Sequence, residues 1–516
     1  MPDRSADLIL HNARVITLVE ALPFAEMVAI KEGKIFALGD EYELDIFRGA
    51  GTKMIDCEGK TIVPGFNDAH CHPLGFATTL LYVDCSSSKA ESIADIQSCI
   101  HSQARLTAES KWIRAAQYNE LHLSEKRHPT CWELDVAAPN HPVILIHASG
   151  NYCVLNSMAL RMVGIAKDTP DPPGGYIGHD EATGELNGII SGRNPYVEKG
   201  VPPVDQEELR HGMRLASQTY LSHGITSVQD TTWSNTMRHW DFFHMLKETG
   251  IFIPRVTMMV STNAVEEFLS NSMGTGSGDS CLRVGSVKIA LDESTGCAHP
   301  PQDDLNVHAL RAHRADFQLA LHVSDIQALQ SALEALEYVT QNDPTPLSRP
   351  RLEHCAICPT NFVPKIRSIG AMVVTQPSFL YYLGKTFRKD IPSGQQKWLY
   401  PLHSLDAQGV RIAASSDSPL FSCNPLVSLY AAVTRRDKWG CSIAPGEALD
   451  VLDALRMYTQ GAAYASSEET SKGSIKRDSL ADLVVLDGDP TQVELERIKD
   501  LKAVRTIIGG EIVWEE

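Results

Sequence analysis

The chain has 516 residues, of which 43% are hydrophobic and 21% are charged, so it is a globular protein too long for one ordinary core. Its formal net charge of -18 argues against nucleic acid or an anionic membrane as a partner, because both call for basic patches. The 12 cysteines lack disulfide-framework spacing, the N-terminus lacks a signal-peptide pattern, and no apolar run approaches the roughly 18 residues that span a bilayer. We therefore expect a cytoplasmic protein with reduced thiols.

Short strand-like runs occupy both ends of the chain. They lie at 8–10, 14–18, 27–30, 34–38 and 53–56 near the N-terminus, and at 482–486, 504–508 and 511–514 near the C-terminus. Neither set can bury a core alone. We therefore predict one small β-sandwich from residues 1–63 and 468–516, with the large domain, residues 64–467, inserted between them. Two independent β-modules are the alternative.

The stretch 65–73 contains a His-x-His motif after an apolar run at 61–63. In a β-strand the side chains alternate in direction, so His70 and His72 face the same way and can grip one metal ion. The motif alone is a weak signal. Its weight comes from the strands and polar residues that follow.

Residues 75–215 lack a regular strand–helix alternation. They contain a helical pattern with apolar residues at Ile93, Ile96 and Ile100, an apolar strand at 142–146 and a Pro/Gly-rich segment at 170–176. Long excursions of this kind are usually lids or substrate walls. We interpret the stretch as an inserted lid subdomain over the mouth of the large domain, so trimming it should change substrate choice more than metal binding.

From about residue 220, strand-like and helix-like runs alternate regularly. The strand-like runs lie at 226–229, 255–260, 284–291, 319–323, 351–354, 371–376 and 411–415. With the strand at His70 they make eight, which predicts an α/β fold, a (β/α)8 TIM barrel, rather than an open sheet. No Gly-x-Gly-x-x-Gly follows an early strand, so a dinucleotide-binding fold lacks its fingerprint.

In such barrels the chemistry lies at the C-terminal ends of the strands. The polar residues predicted there are His70, His72, Lys288, His322, His354 and Asp417. Imidazole and carboxylate suit a divalent ion, most simply zinc, which lowers the pKa of bound water from about 15.7 to about 7. Asp417 can ligate the ion, accept the proton of the water and deliver it to a leaving nitrogen. His354 can complete the metal site or polarise a carbonyl oxygen.

These segments resemble the amidohydrolase superfamily, in particular its amidohydrolase-3 (YtcJ-like) branch, over nearly the whole chain. The matching pieces are 63–73, 224–230, 287–292, 351–354, 409–417 and 473–487. The resemblance implies a metal-dependent hydrolase that cleaves a C–N bond of a small organic substrate, which is an amide, an N-acyl or N-formyl compound or a cyclic amide. Since relatives often dimerise, it also allows a homodimer.

The resemblance also implies a ligand set. His70 and His72 would bind one ion, and Lys288, carbamylated to N6-carboxylysine, would bridge to a second ion held by His322 and His354. Asp417 would be the catalytic acid/base. Because some relatives work with one metal, one or two ions per chain are expected.

The chain departs from the branch at positions that would line the pocket. Residues 149–151 read Ser-Gly-Asn instead of Ser-Gly-His, and residues 292–294 read Asp-Glu-Ser instead of Asp-Gly-Ser. The strand-five histidine is followed by Val-Ser-Asp at 323–325 instead of a longer Gly-Asp step. Aromatic residues near the inferred mouth favour an apolar or aromatic substituent on the substrate, although packing between loops and barrel explains them equally well. The candidate pocket residues are Asn151, Trp233, Asp292, Phe379 and Tyr382.

Two other functions remain open. A mononuclear aminohydrolase (deaminase) of a nitrogen heterocycle would use the same histidines and aspartate without Lys288, and it would release ammonia with one metal per chain. A non-catalytic ligand-binding barrel would hold no metal when purified.

Overall fold

The computed structural model describes residues 5–87, 89–149, 151–172, 175–192, 194–291 and 300–516. The chain divides into two compact units, one made of Met1–Gly75 and Ala216–Glu516, the other of Phe76–Leu215. Among the described residues, no helix has both the length and the apolar character that crossing a membrane requires.

The N-terminal segment forms seven strands and one short α-helix, which a 3-10 turn (Glu41–Glu43) precedes, within residues 5–64. They are β1 (Leu8–His11), β2 (Arg14–Ile16), β3 (Phe24–Ala25), β4 (Met27–Lys31), β5 (Lys34–Gly39), α1 (Leu44–Phe47), β6 (Lys53–Asp56) and β7 (Thr61–Pro64). One sheet has the order β5-β4-β1-β6. The two-residue turn between β4 and β5 has positive φ at Glu32 (51°) and Gly33 (73°), as a type I′ hairpin turn requires.

The first barrel strand, β8 (Phe66–Cys71), precedes the inserted unit, and helix α2 (Pro73–Leu80) leads into it. The strands of that unit are β9 (Val83–Asp84), β10 (Ile113–Tyr118), β11 (Val143–His147), β12 (Tyr152–Leu155), β13 (Tyr176–His179) and β14 (Leu186–Ser191). Its helices are α3 (Ile93–Ala104), α4 (Cys131–Ala137), α5 (Ser157–Met162) and α6 (Pro195–Gly200), and α7 (Gln206–Ser222) leads back to the barrel. The sheet order is β13-β14-β12-β11-β10-β9.

Helix α3 shows why the sequence folds as it does in the inserted unit. Ser92 caps its N-terminus by accepting a hydrogen bond from the Asp95 amide, and Ile93, Ile96 and Ile100 are buried on one face. These isoleucines pack in one core with residues of β10 and β11. The function of the unit as a lid stays a prediction.

The remaining barrel strands are β15 (Ile225–Asp230), β16 (Arg255–Ser261), β17 (Leu282–Ile289), β18 (Leu319–Val323), β19 (Arg351–His354), β20 (Met372–Thr375) and β21 (Ile412–Ala414). With β8 they form one eight-stranded sheet in chain order in which every pairing is parallel. Strand β21 also lies against β8, so the sheet nearly closes. The predicted TIM barrel is confirmed.

Helices alternate with these strands. They are α8 (Met237–Glu248), α9 (Val265–Ser270), α10 (Gln302–Arg314), α11 (Ile326–Asn342), α12 (Val363–Ile369), α13 (Ser378–Asp390), α14 (Leu402–Ala407), α15 (Pro425–Thr434), α16 (Val451–Arg456) and α17 (Ala462–Ala465). In α11 the Asp325 side chain caps the first turn, and a stripe of alanine and leucine is buried.

The chain ends in strands β22 (Leu483–Leu486), β23 (Ala503–Ile508) and β24 (Glu511–Glu515). Strand β22 pairs antiparallel with β7, which gives a second sheet of order β24-β23-β22-β7-β2-β3. Leu10 and Ile30 of the first sheet share one buried core with Ile62, Leu483 and Ile507 of the second. The two termini therefore build one β-sandwich, as the sequence predicts, and the alternative of two independent modules is wrong.

A buried ion pair joins the sandwich to the barrel. The carboxylate of Asp482 accepts hydrogen bonds from Arg255 Nε (2.6 Å) and Nη2 (2.9 Å) and from the Gly509 amide (2.9 Å). Both charged side chains are almost completely buried. Removing one partner of such a pair leaves an uncompensated buried charge.

We therefore expect Asp482→Ala to lower the free energy of unfolding by about 3–5 kcal/mol, measured by urea denaturation. The control is Asp500→Ala, which removes one partner of the solvent-exposed pair between Lys499 and Asp500 and should have no measurable effect. Equal stability of the two variants would contradict the prediction.

Candidate metal centre

Imidazoles and a carboxylate from three strand ends meet at the C-terminal rim of the barrel. His70 and His72 lie at the end of β8, His354 ends β19, and Asp417 follows β21. Asp417 Oδ1 lies 3.2 Å from His72 Nε2 and 3.6 Å from His70 Nε2, and Asp417 Oδ2 lies 4.0 Å from His354 Nδ1. One ligand atom each from His70, His354 and Asp417 lie within 4.8 Å of one another. These side chains are close enough to share one cation.

Backbone geometry holds the carboxylate over the histidines of β8. Asp417 has a φ of 55° and His354 a φ of 71°, in the left-handed region that residues other than glycine rarely adopt. The Asp417 amide donates to the His70 carbonyl (2.8 Å), and the His72 amide donates to the Ser418 carbonyl (2.9 Å). Strained backbone of this kind is typical of functional sites.

Asp68 adds a side-chain link between β8 and the turn after β21. Its carboxyl accepts from the Ser416 amide (2.9 Å), the Ser416 hydroxyl and, at 3.4 Å, the His70 amide. Complete burial raises its pKa to about 7, although the hydrogen bonds from Ser416 oppose this shift. Sequence reasoning missed Asp68, yet the strand alternation that selected His70 and His72 places Asp68 on the same face.

Hydrogen bonds orient two of the imidazoles. His72 Nδ1 lies 3.0 Å from the Thr232 hydroxyl, which in turn donates to Asp230 Oδ1 (2.6 Å). His354 Nδ1 lies 2.9 Å from Gln376 Oε1. The Thr232 hydroxyl donates its only proton to Asp230, so towards His72 it can act only as an acceptor, and His72 Nδ1 carries the proton of that hydrogen bond. In the same way, the Gln376 carbonyl oxygen accepts the Nδ1 proton of His354. The Nε2 atoms of both rings then carry the free lone pairs, as metal ligands require.

His70 is held in a similar way, with Nδ1 2.5 Å from Glu353 Oε2. Burial lowers the pKa of both His70 and His354 far below the usual histidine value, and neighbouring cationic groups lower it further. Both rings are therefore neutral at physiological pH, which is the form that binds metals.

Lys288 is buried near the end of β17, and its Nζ atom lacks a hydrogen-bond partner within the described part of the chain. Burial lowers its pKa to about 8, although the carboxylates of Glu353 and Asp417 act against this shift. A lowered pKa increases the neutral fraction of the amine, which is the form that reacts with CO2. The resulting carbamate would add two oxygen atoms to a side chain that otherwise has no hydrogen-bond partner among the described residues. The donor set thus fits a divalent ion and is compatible with a carbamate.

His322 lies on β18, next to the histidine of β19. The ring centroids of His322 and His354 are 4.4 Å apart, at an interplanar angle of 65°. His322 is outside the compact group of ligand atoms formed by His70, His354 and Asp417.

Two predicted pocket residues belong to an aromatic cluster on α13. Phe379 is buried, with its ring centroid 5.1 Å from that of Phe421 and 6.5 Å from that of Tyr400. Tyr382 stacks on Phe421 at 4.7 Å and an interplanar angle of 5°. Since Phe421 is four residues beyond Asp417, the cluster supports the loop that carries the carboxylate. Much of the Phe379 surface is used in this packing.

The other three predicted pocket residues are Trp233, Asn151 and Asp292. Trp233 follows β15 and is 61% exposed. Asn151 is exposed in the inserted unit. Asp292 lies outside the described residues.

The architecture is that of a (β/α)8 barrel whose rim carries histidine and aspartate side chains close enough to hold a metal ion. The profile of the amidohydrolase family matches residues 53–514, and the chain belongs to that family. N-substituted formamide deformylase from Arthrobacter pascens is 29% identical over 547 aligned positions, which cover 99% of this chain and 98% of that protein. The amidohydrolase YtcJ from Bacillus subtilis is 25% identical, covering 98% and 99% of the two chains. The predicted YtcJ-like branch is confirmed.

Solved structures agree in fold. A metal-dependent hydrolase from Pyrococcus furiosus superposes with a TM-score of 0.76 at 22% identity, covering 94% of this chain and 100% of that one. Family membership makes the protein a hydrolase of carbon–nitrogen bonds other than peptide bonds.

Proposed function

We propose that the protein hydrolyses the amide C–N bond of an N-substituted formamide or a related small N-acyl compound. The observation that carries the proposal is the meeting of His70, His354 and Asp417 ligand atoms within 4.8 Å, on a rim that also holds His72. Similarity to an N-substituted formamide deformylase along the whole chain supports the N-formyl substrate class.

The ion would be zinc, held by His70, His72 and Asp417, with His354 beside them. Lys288, once carbamylated, and His322 would supply further ligands for a second ion shared with His354. A metal held there would supply two things: polarisation of the amide carbonyl, and a lowered pKa of water, so that hydroxide is available as the nucleophile at neutral pH.

Asp417 is the residue placed to move the proton. Its carboxylate lies within 3.2–4.0 Å of nitrogen atoms in His72, His70 and His354, and its side chain is 13% exposed. It can therefore accept a proton from water at the rim and deliver that proton to the leaving nitrogen, which departs as a neutral amine. His70 and His354, both buried, keep bulk water away from one side of the site.

The nitrogen substituent of the substrate would be apolar or aromatic. Support comes from the half-buried rings of Tyr382 and Phe421, which stack on each other beside the loop that carries Asp417. Residues 75–215 would act as the lid that selects among such substituents.

A one-metal aminohydrolase is the second candidate. The observation that favours it is that the compact ligand group contains His70, His354 and Asp417 but not His322. Such an enzyme would release ammonia from a nitrogen heterocycle rather than formate from a formamide.

Metal removal tests the proposal. We expect zinc-loaded protein to release formate and aniline from N-phenylformamide, chelator-stripped protein to release neither, and added zinc to restore both. Adenine in the same assay is the control for deamination. Formate release that survives complete removal of metal, or ammonia release from adenine without formate release, would contradict the proposal.

A further inference from the structure

Glu353 stands immediately before His354 on β19, and it is fully buried. Its Oε2 atom lies 2.5 Å from His70 Nδ1, and its Oε1 atom accepts a hydrogen bond from Arg351 Nε at 2.7 Å. Alternation along a strand would point Glu353 and His354 in opposite directions. The left-handed backbone at His354 reverses this, so that both residues reach His70.

Arg351 is itself buried and is anchored to two other strands. Its Nη1 atom donates to Gln229 Oε1 on β15 (2.6 Å), and its Nη2 atom donates to the Ala69 carbonyl on β8 (2.8 Å). Gln229 is held in turn by the Ala462 carbonyl (2.7 Å). The position of the Glu353 carboxylate is thus fixed by contacts on three barrel strands.

Burying an ion pair inside a barrel has a desolvation cost that can exceed the attraction between the two charges. The interior of a TIM barrel is normally packed with branched apolar side chains, and replacing a buried ion pair by apolar residues is often neutral or stabilising. Stability alone therefore explains this pair poorly. Its contact with a candidate metal ligand provides a reason for it.

We propose that Glu353 is a positioning residue that locks His70 in the metal-binding tautomer, with Arg351 holding its carboxylate in place. An ionised carboxylate only accepts hydrogen bonds, so His70 Nδ1 must carry the proton, and the Nε2 lone pair then faces Asp417 and the ion. The inference rests on the metal centre proposed above. Losing a partner of this kind costs about 10–100-fold in metal affinity.

Glu353→Gln tests the inference because it keeps the shape of the side chain but replaces one accepting oxygen by a donating NH2 group. Arg351 can only donate, so it will claim the Gln carbonyl oxygen and turn the amide NH2 group towards His70. That group favours a lone pair on Nδ1 and a proton on Nε2, which is the tautomer that cannot bind the ion. The matched control is Glu468→Gln, since Glu468 is also a buried carboxylate but pairs with Lys472 at 2.8 Å instead of with a histidine.

In the full-length protein we expect Glu353→Gln to weaken zinc binding about 10–100-fold in a chelator competition, and Glu468→Gln to bind zinc as the wild type does. Nitrogen NMR of the metal-free protein, labelled at histidine, should show the His70 proton move from Nδ1 to Nε2 only in Glu353→Gln. If that variant does not fold, Glu353→Asp serves instead, because it keeps the charge for Arg351 but is too short to reach His70.

Zinc affinity that is equal in the wild type and Glu353→Gln would overturn the inference, and so would an equal loss in Glu468→Gln. Either result would leave the proposed hydrolysis intact. A wild type that binds zinc tightly but releases no formate would overturn the proposed function while the role of Glu353 stands.

Discussion

Asp417→Asn will lower kcat for formamide hydrolysis by about 10²–10⁴-fold, the usual contribution of a general acid–base group. Asparagine has nearly the same size and can still accept hydrogen bonds, but it cannot take up a proton from water at neutral pH. The hydrogen bond from the residue 417 amide to the His70 carbonyl does not involve the side chain, so the turn should persist.

The measurement is formate release by the zinc-loaded variant, with zinc content determined on the same sample. The control is Asp450→Asn, which changes the side chain that caps the N-terminus of α16 and should retain the wild-type kcat. A variant at position 417 that binds zinc and keeps kcat within about tenfold of the wild type would show that another group transfers the proton.

Lys288→Ala will reduce the zinc content from two ions per chain to one and lower kcat/KM about 100-fold or more. Alanine cannot form the carbamate that would bridge the ions, so the second ion should be lost. Lewis-acid stabilisation of the transition state by a metal contributes several kcal/mol, and each ~1.36 kcal/mol corresponds to a tenfold change in rate. The cavity left by the side chain should admit acetate, whose carboxylate can replace the carbamate. Added acetate should therefore restore part of the activity.

Lys472→Ala is the matched control for that experiment. Lys472 is also a buried lysine, but it pairs with Glu468 rather than approaching the rim, so its removal should affect stability and leave the zinc content unchanged. Two ions and full turnover in Lys288→Ala would refute the role of the lysine. One ion in the wild type itself would favour the mononuclear aminohydrolase.

The alternation of strand-like and helix-like runs along the sequence was sufficient to predict the barrel. Parallel strands that are buried on both faces give continuous apolar runs, and the helices between them show a helical periodicity of apolar residues. The rule that chemistry lies at the C-terminal strand ends then selected His70, His354 and Asp417, which the structure brings together. The shared β-sandwich followed from two sets of strands that were each too small to bury a core, whereas the antiparallel pairing of β7 with β22 is visible only in the structure.

The sequence did not show which side chains form hydrogen bonds with one another. Arg351 and Glu353 look like ordinary charges in a short strand, and only tertiary contacts show that one holds the other against His70. The same limit affects Phe379, since an aromatic residue after a strand can line a pocket or pack under a loop, and here much of its surface packs against neighbouring rings. The left-handed backbone at His354 and Asp417 could not be predicted either, because neither residue is a glycine.

An anomalous difference map at the zinc edge, from crystals of the zinc-loaded protein, tests most directly whether the rim holds a catalytic metal. We predict a peak about 2.0–2.2 Å from His70, His72 and Asp417, and a second peak beside His322 and His354 with extra density on the Lys288 amine. A zinc-loaded crystal without a peak among His70, His72 and Asp417 would contradict the metal centre and with it the proposed hydrolysis.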